Sequence, residues 1–263
     1  MNGRRMSFLE SGAGQPLLLL HAFPLNADMW APQLEAPPAG WRIIAPDFPG
    51  FEPSSAPPAA SQGDRPVASM DDFAGDVIDL LDSLHLHQVV VGGLSMGGYV
   101  AFALYRRAAR YIRGLILADT RPQADTDDAR VGRRKMQALV EERGAAAVAD
   151  QMLPKLLADP SATETATWIR SIIEDISPQG IKHALTALMS RPDSTDLLPT
   201  IGEPTAILVG ELDAVTPVSD AEAMHEQIRG SSLTVVPGAG HLSSAEQPAA
   251  FNAAVSRFLT ERF

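Results

Sequence analysis

Cysteine is absent from this 263-residue chain, which excludes disulfide bonds, thiolate nucleophiles and cysteine-ligated metal sites. Basic side chains are few: 21 Lys and Arg oppose 32 Asp and Glu, which gives a net charge of −11. A charge of this sign repels phosphate backbones, so we expect no nucleic-acid partner. No apolar run approaches the roughly 18 residues of a membrane-spanning helix, and the first residues lack the apolar stretch of a signal peptide. We therefore expect a cytoplasmic protein with no membrane partner.

Short apolar runs alternate with helical patterns along most of the chain. The runs predict buried strands at 17–20, 41–45, 89–91, 114–118, 205–209 and 233–236. Helices are predicted at 70–84, 96–110, 218–229 and 248–261. This alternation indicates an α/β fold with a mostly parallel sheet that helices cover on both faces. Residues 52–66 are rich in Pro, Ser and Ala, which predicts a surface loop.

The alternation stops between residues 122 and 198, where helical patterns occur at 131–148, 162–176 and 178–190. A single crossover between strands rarely needs so much chain. We interpret residues 122–198 as a helical cap insertion, and residues 1–121 and 199–263 as the core domain. The alternative, that these helices simply cover the sheet, stays open.

The candidate nucleophile is Ser95, in the sequence Gly93-Leu94-Ser95-Met96-Gly97-Gly98. An apolar run precedes this sequence and a helix-forming segment follows it, so Ser95 is predicted on a sharp strand–turn–helix connection. Side chains two residues to either side of the serine would crowd such a turn, and glycine avoids this. The turn exposes the serine hydroxyl and directs the first amides of the helix towards its target.

A serine hydroxyl needs a base within hydrogen-bond reach, and histidine is suited to that role near neutral pH. In open α/β sheets, functional residues collect beyond the carboxyl ends of the strands. His21 and His241 follow strands at that edge, whereas the other histidines precede a strand or lie in predicted helices (His85, His87, His183 and His225). The glycine-rich approach to His241 favours it as the base. We expect His21 to brace its own turn by hydrogen bonding.

A carboxylate must orient the imidazole, and two strand ends offer one. Asp213 follows the strand at 205–209, and Asp119 follows the strand at 114–118. We favour Asp213 and keep Asp119 as the alternative. Glu211 is interpreted as a carboxylate that stabilises a loop.

Negative charge that develops on a substrate oxygen needs two preorganised N–H donors. The amide of Met96, directly after the nucleophile, is the first candidate. The amide of Phe23, in the turn after the first predicted strand, is the second, because Pro24 has no N–H. This chemistry requires no metal and no organic cofactor.

These motifs resemble those of the α/β-hydrolase superfamily, and the resemblance extends from Leu17 to Phe258. The order Ser95, Asp213, His241 is the order that the family uses. The segments that carry the resemblance are His21-Ala22-Phe23-Pro24, Asp213-Ala214-Val215-Thr216-Pro217 and Gly238-Ala239-Gly240-His241, followed by Glu246-Gln247-Pro248. Two departures are Ala22, where the family usually has glycine, and residues 47–52, which lack an arginine and a second glycine.

The resemblance points to the branch of serine esterases, enol-lactonases and haloperoxidase-like enzymes. It implies a mostly parallel, doubly covered α/β-hydrolase sheet with a helical cap insertion. It also implies cleavage of a small carboxylic ester or lactone through an acyl-enzyme intermediate. Perhydrolysis or hydrolysis of a carbon–carbon bond by the same triad is the alternative, and a non-catalytic ligand-binding protein is the alternative of another class. The expected partner is the small-molecule substrate, and assembly into a homo-oligomer stays open.

Overall fold

The computed structural model describes residues 6–52, 69–161 and 163–263. The strands in this part of the chain are β1 (Phe8–Gly12), β2 (Gln15–Leu20), β3 (Trp41–Pro46), β4 (Val89–Leu94), β5 (Ile112–Ala118), β6 (Thr205–Gly210) and β7 (Ser232–Val236). The helices are α1 (Ala31–Glu35), α2 (Met70–Ser83), α3 (Met96–Ala108), α4 (Asp127–Leu156), α5 (Thr163–Asp175), α6 (Pro178–Ser190), α7 (Val218–Gln227), α8 (Ser243–Glu246) and α9 (Pro248–Arg262). Short 3₁₀ turns occupy Ala27–Trp30, Ala109–Tyr111 and Thr195–Thr200.

The strands form one sheet in the order β1-β3-β2-β4-β5-β6-β7. Only β1 is antiparallel to its neighbour, and every other pairing is parallel. The predicted α/β class with a mostly parallel, helix-covered sheet is confirmed. The carboxyl ends of β2, β4, β5, β6 and β7 therefore meet at one edge, where the sequence places its candidate residues.

The sequence did not predict the first strand. β1 lies at the edge of the sheet, pairs only with β3 and has no fully buried side chain. An edge strand of this kind does not need an apolar run, because solvent covers one side of it. Most of the predicted loop at 52–66 lies outside the described residues.

Helices α4, α5 and α6 lie between β5 and β6, as the sequence predicts for the segment after residue 122. Gly144 has φ 73° and ψ −175° and divides α4 into two helical parts. Positive φ costs glycine least, which explains a break at this residue. That residues 122–198 act as a separate cap stays a prediction.

The two ends of this segment are joined where it leaves the sheet. The amide of Ser194 donates to the carbonyl of Pro122 at 2.9 Å. Arg191 forms a buried ion pair with Asp125 and also lies 4.1 Å from the centre of the Tyr99 ring. Because Tyr99 belongs to α3, the helix that follows Ser95, the base of the segment is fixed against the core beside the candidate nucleophile.

The segment makes a second close contact with the core at Gly50. A Cβ on Gly180 would lie 1.9 Å from the carbonyl oxygen of Gly50, so neither residue has room for a side chain. Ser177, which caps α6, donates to the same carbonyl at 3.3 Å. Backbone therefore packs directly on backbone where α6 meets the loop after β3.

Asp47 anchors the loop after β3, where the sequence lacks the arginine of related loops. Its Oδ1 accepts the amide of Ala27 at 2.8 Å, and its Oδ2 accepts the hydroxyl of Ser7 at 2.8 Å. Burial, with smaller contributions from nearby Asp28 and Glu52, raises the pKa of Asp47 from 3.8 to about 6. The two hydrogen bonds oppose this shift without cancelling it.

None of the described helices has the length and apolarity to cross a membrane.

Asp47→Asn should change how stability depends on pH. The folded carboxyl binds its proton more tightly than the unfolded one, so the wild type loses stability as pH rises from about 4 to above 6, by at most about 3 kcal/mol. An asparagine keeps an acceptor for Ala27 and a donor for Ser7 but carries no charge. Urea unfolding between pH 4.5 and 7.5 measures this effect. The free energy of unfolding of the variant should rise relative to that of the wild type as pH rises.

Asp47→Ala is the control, because it removes both hydrogen bonds and should be destabilised at every pH. The prediction would be contradicted if the free energy of unfolding changed with pH in the same way for the wild type and for Asp47→Asn.

Candidate active site

Ser95 lies on the turn between β4 and α3 with φ 54° and ψ −110°, a conformation that non-glycine residues rarely adopt. Two hydrogen bonds hold it there. The Ser95 amide donates to the carbonyl of Ala118 at 3.0 Å, and the Thr120 hydroxyl donates to the Ser95 carbonyl at 2.9 Å. Both partners come from the end of β5, so the neighbouring strand stabilises the strained turn.

The glycines around Ser95 are required by contacts with backbone. A Cβ on Gly93 would lie 2.3 Å from the carbonyl oxygen of Gly97, and one on Gly97 would lie 2.1 Å from that of Leu20. The predicted crowding two residues to either side of the serine is therefore confirmed. A Cβ on Gly98 would also meet the Thr120 side chain at 2.4 Å, which no sequence pattern indicated.

The structure brings Ser95, His241 and Asp213 into one hydrogen-bonded chain. Nε2 of His241 lies 2.8 Å from Oγ of Ser95, and Nδ1 lies 2.8 Å from Oδ2 of Asp213. All three residues are buried, which strengthens their electrostatic interactions relative to water. In this geometry a proton can pass from the Ser95 hydroxyl to the imidazole while the carboxylate stabilises the imidazolium.

Asp213 is held by its own loop. Oδ1 accepts the amides of Val215 and Thr216 at 2.7 and 2.9 Å, and Oδ2 accepts the Thr216 hydroxyl at 2.7 Å. Burial opposes the charge, but the hydrogen bonds and the charge of His241 outweigh burial and lower the pKa of Asp213. Thr216 was not among the predicted residues. An Asp followed three residues later by Thr is a signal of such a self-bonded turn.

Asp119, the alternative acid, forms different hydrogen bonds. Its Oδ1 accepts the amide of Gly210 at 2.8 Å, and its Oδ2 accepts the hydroxyl of Ser243. Complete burial and then the charge of Asp213 raise the pKa of Asp119 well above its usual range. Asp119 thus joins the end of β6 to the chain just beyond His241, while Asp213 makes the contact with the imidazole.

His21 braces its turn, as the sequence predicts. Its Nε2 accepts the amide of Phe48 at 3.0 Å, so its Nδ1 carries the proton and donates to the carbonyl of Ala22 at 3.0 Å. Burial lowers the pKa of His21 to about 4, which keeps the ring neutral. This ring therefore joins the turn after β2 to the loop after β3.

Three other candidates either lie away from the hydrogen-bonded chain of Ser95, His241 and Asp213 or stabilise one of its loops: His183, His225 and Glu211. His183 and His225 bond to Gln179 and Ser231 on the protein surface. Glu211 accepts the amide of Gly238 at 2.9 Å, which confirms its predicted loop-stabilising role.

Phe23 and Met96, the predicted oxyanion donors, occupy adjoining elements. β2 pairs with β4 so that Leu20 lies opposite Gly93, and Gly97 packs on the Leu20 carbonyl. The turn that carries Phe23 therefore follows directly beside the start of α3. Neither amide has an acceptor within the part of the chain that the structure describes, which leaves both N–H groups for a ligand oxygen. Their role as donors to a substrate stays a prediction.

Among residues with described positions, no group of three or more histidine or carboxylate side chains is arranged to hold a metal ion.

Comparisons with known proteins agree with this architecture. A family profile described as the alpha/beta hydrolase fold matches residues 15–248. The 3-oxoadipate enol-lactonase 1 of Acinetobacter baylyi is 26% identical, over 98% of this chain and 94% of that protein.

Solved structures give the same result. A thermophilic esterase from Thermogutta terrifontis, solved with malate bound, is 38% identical with a TM-score of 0.89, over 97% of this chain and 93% of that one. A bromoperoxidase from Bacillus anthracis is 25% identical with a TM-score of 0.81, over 97% of this chain and 95% of that one.

The contacts of Asp213 predict the effect of Asp213→Asn. The amides of Val215 and Thr216 would hold the new side-chain oxygen, so its NH₂ would face His241 and force the ring proton onto Nε2. That tautomer cannot accept the Ser95 proton. We expect phosphonylation of Ser95 by a fluorophosphonate, followed by intact-protein mass spectrometry, to slow by a factor on the order of 10³ to 10⁴.

Asp119→Asn is the matched control. Its oxygen can still accept the Gly210 amide, and its NH₂ can donate to Ser243, so labelling should stay within about threefold of the wild type. If phosphonylation of Ser95 were slow in Asp119→Asn and fast in Asp213→Asn, the acid would be Asp119.

Proposed function

The chain belongs to the α/β-hydrolase fold family, and on that premise we propose that it is a serine hydrolase that cleaves a small carboxylic ester or lactone. The observation that carries this proposal is the buried chain from Ser95 through His241 to Asp213, with 2.8 Å at each step. The similarity to an esterase and to an enol-lactonase supports the choice of ester or lactone.

The reaction proceeds in two halves. Ser95 Oγ attacks the carbonyl carbon as its proton moves to His241 Nε2, and Asp213 stabilises the imidazolium. The amides of Phe23 and Met96 hold the developing oxyanion. His241 then protonates the leaving alkoxide, which leaves an acyl group on Ser95. Water then gives a proton to His241 as it attacks the acyl carbon. The bond between the acyl carbon and Ser95 Oγ breaks, His241 returns the proton to Ser95 Oγ, and the acid leaves.

The helices of residues 122–198 are proposed as the cap that limits the size of the substrate. Among the apolar side chains of these helices, Ile169 and Leu185 are fully buried in the hydrophobic core. Trp168 and Met189 are only partly buried. These two are therefore the better candidates for contact with a substrate.

Perhydrolysis is the second candidate, favoured by the similarity to a bromoperoxidase. Hydrogen peroxide would replace water in the second half of the reaction. It would give a proton to His241 as it attacks the acyl carbon. As the bond to Ser95 Oγ breaks, His241 would return that proton to Ser95 and a peracid would leave. Both candidates use the same acyl-enzyme, so the relative rates of the two nucleophiles distinguish them.

We expect turnover of p-nitrophenyl esters from acetate to octanoate, or of lactones in a parallel panel. Ser95→Ala should lower kcat by a factor on the order of 10⁴ or more, because no nucleophile remains. Release of p-nitrophenol measures the ester reaction, and an early burst equal to the enzyme concentration would report the acyl-enzyme. The chain length at which kcat/KM falls measures the space beneath the cap.

Added hydrogen peroxide distinguishes the two candidates. Bromide oxidation that requires both an acyl donor and Ser95 would favour perhydrolysis. A folded wild type that turns over neither panel, with or without peroxide, would contradict both candidates and favour a ligand-binding protein.

A further inference from the structure

The helical segment of residues 122–198 touches the loop of His241, the candidate base. The junction between them is formed by residues 156–158 and 240–242. The amide of Leu242 donates to the carbonyl of Leu156 at 3.2 Å. A Cβ on Gly240 would lie 2.5 Å from the amide nitrogen of Ala158. The end of α4 therefore lies against the backbone on either side of His241.

One carboxylate joins the two sides of this junction. Oε1 of Glu246 accepts the amide of Ala158, and Oε2 accepts the amide of Gly240, each at 2.7 Å. Ala158 belongs to the helical segment, and Gly240 directly precedes His241. These distances are typical of strong hydrogen bonds to a charged acceptor.

Leu156, Leu157 and Leu242 are buried in the hydrophobic core at this junction. A cavity of about 160 Å³ borders the junction, lined in part by Leu157, Gly238 and Glu246. Beside this cavity, the two hydrogen bonds of Glu246 add a directional restraint that apolar packing does not supply. Burial raises the pKa of Glu246, and the charge of Asp213 adds to that shift, so retaining the carboxylate here costs stability.

We propose that Glu246 is a positioning residue that fixes the loop of His241 and the end of α4 relative to each other, and thereby aligns His241 with Ser95. The proposal rests on the proposed function for the identity of the base. Glu246 acts through the backbone of Gly240 and touches neither Ser95 nor a substrate.

Glu211 provides a matched control on the same loop. Its carboxylate accepts one amide, that of Gly238, and its side chain lies at the surface. A glutamine at 211 keeps one acceptor oxygen and can retain that bond. A glutamine at 246 cannot retain both of its bonds, because its NH₂ group faces one of the two amides.

The test compares Glu246→Gln, Glu246→Ala and Glu211→Gln with the wild type on the best p-nitrophenyl ester. We expect kcat to fall about 10- to 100-fold in both Glu246 variants, since a small misplacement of a catalytic group has effects of this size. KM should change less than about threefold, because substrate contacts are retained. Glu211→Gln should stay within about twofold of the wild type in both constants.

Gly240→Ala tests the junction from its other side. The added methyl would press on Ala158, so kcat should fall as in the Glu246 variants. Far-UV circular dichroism and thermal unfolding verify that each variant is folded. Folded Glu246 variants with the wild-type kcat, or a rise in KM alone, would overturn the proposal.

Hydrogen–deuterium exchange separates this proposal from the proposed function. In Glu246→Gln, peptides containing residues 156–160 and 238–242 should exchange faster, whereas β4 should not change. If the wild type turns over neither the esters nor the lactones, the proposed function fails, while this measurement still decides whether Glu246 restrains the junction. Unchanged exchange in both peptides would overturn the restraint.

Discussion

The strained turn at Ser95 is the constraint on which the rest of the site depends. Its positive φ persists because β5 supplies an acceptor for the Ser95 amide and a hydroxyl donor for its carbonyl. Three neighbouring glycines let backbone and side chains approach to distances that a Cβ would prevent. The strain is thus compensated by the sheet, and the hydroxyl is held within reach of His241 before any ligand arrives.

Carboxylates that accept backbone amides hold the loops around this turn. Four of them join segments that are distant in the chain: Asp47 to Ala27, Asp119 to Gly210, Glu211 to Gly238, and Glu246 to Ala158. Asp213 instead holds its own turn through the amides of Val215 and Thr216. Asp119 and Glu246 lie near Asp213, so burial and then repulsion from the charge of Asp213 raise the pKa of both. Loop geometry is therefore obtained at an electrostatic cost, as is common at functional sites.

Several contacts between described residues attach the helical segment to the core. Arg191 and Asp125 fix its base against α3, and Gly180 packs on the loop after β3. Glu246 joins the end of α4 to the loop of His241. The first and third attachments lie next to α3 and the loop of His241, which carry candidate functional groups, so a shift of these helices would be transmitted to the site.

Apolar periodicity is a local signal, and parallel strands bring their carboxyl ends to one edge, so the sequence alone predicts the α/β class, the strands β2 to β7 and the candidate residues Ser95 and His241. It did not reveal β1, whose pairing partner is distant and whose side chains are largely exposed. It favoured Asp213 over Asp119 as the partner of His241 without settling the choice, and it did not assign Thr120 and Glu246 their contacts. Those outcomes depend on side-chain direction and on which loops meet, and only the tertiary structure brings residues 119, 213, 241 and 246 together.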